Sequence, residues 1–211
     1  MGHDFGHRIR CVTINSVVTA GVLALQGDFA EHEAVLERLG VETREVRLPS
    51  DLEYVDCLII PGGESTTITR LMAMYGLLEP LKAFAQAHAV WGTCAGLIVM
   101  ANRATDLDKE TLELMDITVE RNAFGRQVDS FETELEMDEV EGGPVHAVFI
   151  RAPLIKGAGT AVKALASIDG HGIVAARQGH LLVTAFHPEL TSDLRLHRYF
   201  ISLADRPLAA K

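Results

Sequence analysis

Val90-Trp91-Gly92-Thr93-Cys94-Ala95-Gly96-Leu97-Ile98-Val99-Met100 is the stretch that decides how this chain folds. A short apolar run stops at Gly92, a second begins after Gly96, and a cysteine stands between the two glycines. The pattern is the G-x-C-x-G form of a nucleophile elbow, a tight strand-to-helix turn that lifts a reactive side chain above a sheet edge. Glycines lack a Cβ, so strand and helix can close tightly around a strained residue between them. Cys94 then stands at a helix N-terminus, where the macrodipole and free N–H groups favour negative charge. Taken alone, the pattern is equally compatible with a small buried hydrophobe.

Upstream of the elbow, residues 20–25 (Ala-Gly-Val-Leu-Ala-Leu) and 56–60 (Asp-Cys-Leu-Ile-Ile) are short continuous apolar runs, as expected for strands buried on both faces. Between them Asp28 is placed to cap a helix in which Ala30, Ala34, Val35 and Leu39 recur at helical spacing, closed by Gly40. Residues 41–48 alternate as a further strand. This β-α-β-loop-β order predicts a parallel sheet with helices on its faces, and puts Cys57 in the core. Pro61-Gly62-Gly63-Glu64-Ser65-Thr66-Thr67 follows the third strand directly. Its paired glycines present bare backbone N–H groups, and Ser65 or Thr66 is placed to cap the next helix. Helices are predicted over 68–75 and 78–88, parted by Gly76.

Downstream, residues 111–119 partly alternate as a strand, and 120–131 form a polar loop carrying Arg121 and Arg126. Residues 138–144 read as an exposed acidic turn. Strands are predicted over 145–150, 162–167, 172–176 and 180–186, the last two joined by a hairpin at Arg177-Gln178-Gly179. A helix over 193–203 closes the chain. The fold class expected is α/β, a single domain with a mostly parallel central sheet and flanking helices, in the flavodoxin-like manner. The domain spans 19–211, and residues 1–18 form an N-terminal extension.

Composition narrows the function. The 211 residues suit one domain, and 48% hydrophobic content beside 23% charged supports a sizeable core. The net charge of -10 carries no basic footprint, so nucleic acid is not expected as a partner. Cys11, Cys57 and Cys94 are odd in number and widely spaced, which fits neither a disulfide framework nor a C-x-x-C site and points to a reducing, cytoplasmic compartment. No apolar run approaches the ~18 residues of a membrane span. No cofactor and no metal site are expected; His3 and His7 in the extension carry no functional weight.

The partner for Cys94 comes from Phe186-His187-Pro188-Glu189. In an extended chain, residues two apart point to one side, and a residue before proline is biased towards extended geometry. Glu189 is thereby placed to orient the His187 imidazole, the base-plus-orienter half of a catalytic triad. In isolation this tripeptide reads as a surface turn. Its position changes the reading, because ligands in open α/β sheets bind beyond the carboxyl ends of the strands. Gly62-Gly63, Cys94 and His187–Glu189 each follow a predicted strand, so three complementary groups converge on one rim.

These residues resemble the class I (triad) glutamine amidotransferases, and most closely the glutaminase subunit family of pyridoxal 5'-phosphate synthase. The resemblance is carried by Leu25-Gln26-Gly27, Pro61-Gly62-Gly63-Glu64-Ser65-Thr66, Gly92-Thr93-Cys94-Ala95-Gly96-Leu97, Glu120-Arg121-Asn122-Ala123-Phe124-Gly125-Arg126-Gln127, Phe149-Ile150-Arg151-Ala152-Pro153 and Phe186-His187-Pro188-Glu189-Leu190-Thr191. It implies hydrolysis of L-glutamine through a Cys94 thioester, with His187 and Glu189 completing the triad. It also implies an oxyanion hole from the backbone of Gly63 and Ala95, and substrate contacts from Gly63, Glu64, Ser65, Arg121, Ile150 and Arg151. The implied partner is a synthase subunit that receives the ammonia in a hetero-oligomer. Two other classes stand beside this one: a different cysteine hydrolase or deglycase on a similar fold, and a non-catalytic interaction subunit.

Overall fold

The computed structural model describes residues 18–105, 111–121 and 130–204. The N-terminal extension, apart from Val18, and residues 122–129 of the polar loop lie outside them. Val18, the first described residue, packs into the core.

The chain opens with β1 (Thr19–Leu23), α1 (Phe29–Arg38) and β2 (Glu42–Val46), then passes a 3₁₀ turn at Pro49–Tyr54 into β3 (Cys57–Ile60). α2 (Ser65–Met74), α3 (Leu78–Phe84), β4 (Ala89–Thr93) and α4 (Ala95–Met100) follow. The second half is strand-rich: β5 (Ala101–Ala104), β6 (Met115–Glu120), β7 (Ser130–Leu135), β8 (Val145–Ile150), β9 (Leu154–Ala158), β10 (Lys163–Ile168), β11 (Gly172–Gln178) and β12 (Leu181–Thr184). A 3₁₀ turn at Pro188–Leu190 and α5 (Arg195–Ala204) complete it.

Ten strands form one sheet in the order β2-β1-β3-β4-β12-β11-β9-β6-β5, with β10 paired to β11 off that path. The run from β2 to β12 is parallel throughout, so five strands end on the same edge: β2, β1, β3, β4 and β12. Beyond β12 the hairpin turns the sheet antiparallel, and β5 rejoins β6 in parallel. The expected α/β fold with a mostly parallel central sheet is what forms, and the unbroken parallel run is the half that bears the elbow. β3, β4 and β12 are buried along their whole length, which is why they read as unbroken apolar runs. Cys57 is sealed in β3, where burial pushes its thiol well up, leaving it a structural hydrophobe.

Several expectations need correction. The strand predicted over 111–119 starts at Met115, and β5, β7 and β9 were not anticipated. β7 exposes Ser130, Glu132 and Glu134 on one side, so its polar face resembles a loop in sequence. It pairs with β8 in a separate two-stranded ribbon, where His146 contacts Glu132 and Glu134 at 2.8 Å each. The acidic turn at 138–144 is not simply solvated. Glu139 accepts from Lys163, Arg177 and Tyr199, Val140 is buried, and Arg195 donates to the carbonyls of Glu141, Gly143 and Pro144.

The elbow depends on close approach. A Cβ on Gly96 would lie 2.0 Å from the Ile60 carbonyl oxygen, and one on Gly92 would lie 2.5 Å from the Gly96 carbonyl. Both obstacles are backbone, which cannot swing aside. Gly96→Ala is expected to destabilise the fold by about 1–3 kcal/mol or more through overpacking. At about 2–4 °C per kcal/mol for a domain of this size, a thermal melt registers the loss readily; an unchanged melting temperature would refute the packing account.

Candidate active site

The backbone places the candidate nucleophile in strain. Cys94 has φ 46° and ψ -99°, outside the conformations that a side-chain-bearing residue adopts freely. Its amide donates to Thr184 O at 2.8 Å, which ties the elbow to the end of β12. The register pairs Thr93 with Thr184, so Cys94 and the segment leading to His187 leave adjacent strands side by side. The residue is 7% exposed, and its Sγ lies 3.9 Å from the Ile150 carbonyl.

His187 and Glu189 meet as expected, by a different geometry. β12 ends at Thr184, and Pro188, with its fixed φ, opens a 3₁₀ turn that carries Glu189. The turn, rather than an extended strand, brings Glu189 Oε1 to 2.7 Å from His187 Nδ1. The His187 amide is held by Val148 O at 2.8 Å, so the β7–β8 ribbon also supports the imidazole. Burial works against charge on His187, but the Cys94 sulfur and the Glu189 carboxylate beside it prevail and push its pKa up to about 10. Burial raises the pKa of Glu189, and the hydrogen bond from His187 restrains that rise.

The loop after β3 forms the opposite wall. Glu64, not Ser65 or Thr66, caps α2: its carboxylate accepts from the Thr66 amide at 3.1 Å, and from the Thr67 amide and hydroxyl at 2.6 Å each. The hydrogen bond from Thr67 leads in holding that carboxylate below its usual pKa. Arg121 lies 3.7 Å from Glu64 Oε1. Gln26 accepts from the Glu64 amide at 2.8 Å, and the Asp28 amide donates to Gly62 O at 3.2 Å, so the turns after β1 and β3 are laced together. Asp28 precedes α1 but makes no side-chain cap. Its carboxylate instead lies 3.5 Å from His187 Nδ1.

These segments enclose a cleft of about 500 Å³. Gly63, Glu64, Ser65, Cys94, Ala95, Arg121, Ile150, Arg151 and His187 all line it. Glu189 sits behind His187 instead. Gln26, Asp28 and Ile98 also line the cleft; none was named as a site residue from sequence. Gln26 belongs to the Leu-Gln-Gly turn after β1, and its position beyond a strand end was the available signal. Arg151 has φ 45°, a strained backbone of the kind that collects at functional sites. Asp28, His187 and Glu189 bring donor atoms within 4.8 Å of one another, but two of these groups already serve each other as imidazole and carboxylate.

Similarity to known proteins agrees with this geometry. Residues 22–205 match the SNO glutamine amidotransferase family. The chain is 57% identical over 190 residues to the pyridoxal 5'-phosphate synthase subunit PdxT of Herpetosiphon aurantiacus, covering 88% of this chain and 100% of that one. It is 53% identical over 189 residues to the protein of the same name from Roseiflexus sp. (strain RS-1), with the same coverage. A crystal structure of a glutamine amidotransferase superposes with a TM-score of 0.83 at 48% identity, covering 90% of this chain and 99% of that one. Another, from Thermotoga maritima, reaches a TM-score of 0.58 at 11% identity over 90% of this chain and 94% of its own, a likeness of fold alone. The chain belongs to the SNO glutamine amidotransferase family.

Proposed function

We propose that this chain is a glutaminase. It hydrolyses L-glutamine to L-glutamate and ammonia through a Cys94 thioester, and delivers the ammonia to a synthase subunit for pyridoxal 5'-phosphate biosynthesis. The observation that carries this reading is Cys94, strained on its elbow, sharing a cleft with a His187 whose Nδ1 is held by Glu189 at 2.7 Å. Family membership supplies the substrate class. The glutaminase domain spans residues 19–211, preceded by the extension at 1–18.

The chemistry follows from the charges. With its pKa raised to about 10, His187 carries a proton at neutral pH beside the Cys94 sulfur, the nucleophile. The sulfur attacks the carboxamide carbon, and the backbone N–H groups of Ala95 and Gly63 receive the developing oxyanion. His187 gives its proton to the departing ammonia while Glu189 holds the ring. Once the sulfur is a neutral thioester, one cause of the raised His187 pKa disappears. The imidazole is then free to act as base on the water that releases glutamate. Glu64, Ser65, Ile150 and Arg151 line the end of the cleft assigned to the amino-acid moiety. The Arg121 guanidinium suits the α-carboxylate because its fork pairs with both oxygens.

Ammonia at neutral pH is mostly protonated and a poor nucleophile, which is the chemical reason for handing it to a partner. The relatives are named as subunits of a synthase, and a hetero-oligomer is the corresponding assembly here. A reducing, cytoplasmic compartment suits a free catalytic thiol. Among the described residues no helix is long and apolar enough to cross a membrane. The relatives give no support to a deglycase or another cysteine hydrolase, and the complete Cys94–His187–Glu189 set speaks against a non-catalytic subunit.

The direct test is ammonia release from glutamine by the full chain, with and without the synthase subunit. The synthase is expected to stimulate release. Full turnover by the chain alone, without stimulation, contradicts the coupling. Cys94→Ala is expected to lose about 10³-fold or more of kcat, because the triad acts as a unit; retained activity removes the nucleophile assignment. Gly62→Ala probes the imidazole position, since its Cβ would lie 2.5 Å from His187 Cε1. A displacement approaching 1 Å costs up to about 10²-fold in rate. Gly62→Ala should therefore lower kcat while glutamine binding, followed by calorimetry, changes little.

A further inference from the structure

Behind the Cys94–His187–Glu189 line, a second row of polar groups runs into the core. Glu189 is 5% exposed, and while its Oε1 takes the His187 hydrogen bond, its Oε2 has no hydrogen bond of full geometry among the described residues. That oxygen faces His32 Nε2 at 3.4 Å. His32 lies on α1 and is wholly buried. Its Nε2 is also 3.2 Å from Thr93 Oγ1, and its Nδ1 is 2.9 Å from His197 Nε2 on α5. His197 is equally sealed, packs edge-on against Trp91 with ring centroids 4.8 Å apart, and leaves its Nδ1 unpartnered among the described residues. Neither histidine lines the cleft.

The hydrogen-bond inventory selects one arrangement of protons. Burial leads in lowering the pKa of both histidines, His197 to about 3, so each ring is neutral and carries a single N–H. If His32 were protonated on Nδ1, it would donate to His197 Nε2. His197 would then bury its Nδ1–H without an acceptor, and His32 would turn a lone pair on the Glu189 carboxylate. Both outcomes are costly in a dry core. The opposite arrangement removes both faults. His197 Nε2–H donates to His32 Nδ1, and His32 Nε2–H donates to Thr93 Oγ1 with Glu189 Oε2 beside it at 3.4 Å.

We propose that His32, oriented by His197, is a positioning residue for the glutaminase reaction: its Nε2–H holds the inner oxygen of Glu189, so that the outer oxygen stays aimed at His187 Nδ1. The proposal rests on the glutaminase reading above. The groups that bear on Glu189 are His187, Asp28 and His32; those that bear on His32 are His197, His187 and Glu189; Asp193 bears on His197. Removing the His32 donor takes away the favourable contact to the charged form of Glu189. The carboxyl then protonates at higher pH, His187 loses its acceptor, and the acid limb of the rate profile moves upward.

The test uses the full chain assembled with its synthase subunit. His32→Phe keeps an aromatic ring against Trp91 but no donor. It is expected to lower kcat by about 10–100-fold, the usual range for residues that orient a reactive group from behind. The KM for glutamine should stay nearly constant, and the acid limb of kcat should shift upward. His32→Gln, which restores an N–H near the Nε2 position, should recover most of the rate and the original limb. A His32→Phe enzyme with unchanged kcat and pH profile overturns the proposal, as does a His32→Gln enzyme no better than a folded His32→Phe. Long-range nitrogen–proton NMR of histidine-labelled wild type needs no variant: Nε2–H on His32 supports the assignment and Nδ1–H overturns it. Wild type releasing no ammonia would defeat the glutaminase reading, whereas active wild type beside an indifferent His32→Phe defeats only this inference.

Discussion

Cys94 can hold its positive φ only because two glycines let three backbone segments touch. Gly96 packs on the Ile60 carbonyl and Gly92 on the turn of α4, so β3, β4 and the elbow form one rigid unit. Strain of this sort costs about 1–3 kcal/mol and persists only where surrounding structure over-determines it. Here the support is a parallel sheet whose central strands are buried on both faces. The sheet order matters as much as its stability. Between β1 and β3 the chain reverses its direction of travel across the sheet, and the turns after those two strands meet at Gly27 and Gly62. A crevice at such a switch point is a property of the topology.

Upon that frame the charges are set in a line of decreasing exposure. The sulfur lies at the cleft, the imidazole beside it, the carboxylate behind, and two neutral histidines deeper still. Each group compensates the burial of the next. His187 retains its proton because negative charge flanks it, and the hydrogen bond from His187 offsets part of the rise that burial imposes on Glu189. The β7–β8 ribbon closes the arrangement from outside the sheet. It touches the His187 amide through Val148 and the Cys94 sulfur through Ile150. One peripheral element therefore supports both reacting side chains.

Much of this was legible in the sequence where burial is complete. β1, β3, β4 and β12 announced themselves as apolar runs, and the residues just past their ends formed the cleft. Strands with a wet face were harder. β7 presents glutamates at alternate positions, and β5 continues directly from the apolar α4, so neither contrasts with its neighbours. Cap chemistry was misassigned where an acidic residue preceded hydroxyl residues: Glu64 outcompetes Ser65 because a carboxylate accepts from two amides at once. His32 and His197 were invisible for a different reason. Each sits within an amphipathic helix, and only three-dimensional packing reveals that they meet across nearly the whole chain.

The pairing of β4 with β12 joins strands separated by nearly half the polypeptide. During synthesis the elbow cysteine emerges long before the histidine that answers it, and β12 is the last strand to be made. Contacts between distant segments form late because loop closure must precede them. The nascent chain thus carries an unactivated thiol until its final strand slots against β4. The couple of sulfur and imidazole comes into being only when β12 is in place, so a copy lacking that strand has no histidine beside its thiol.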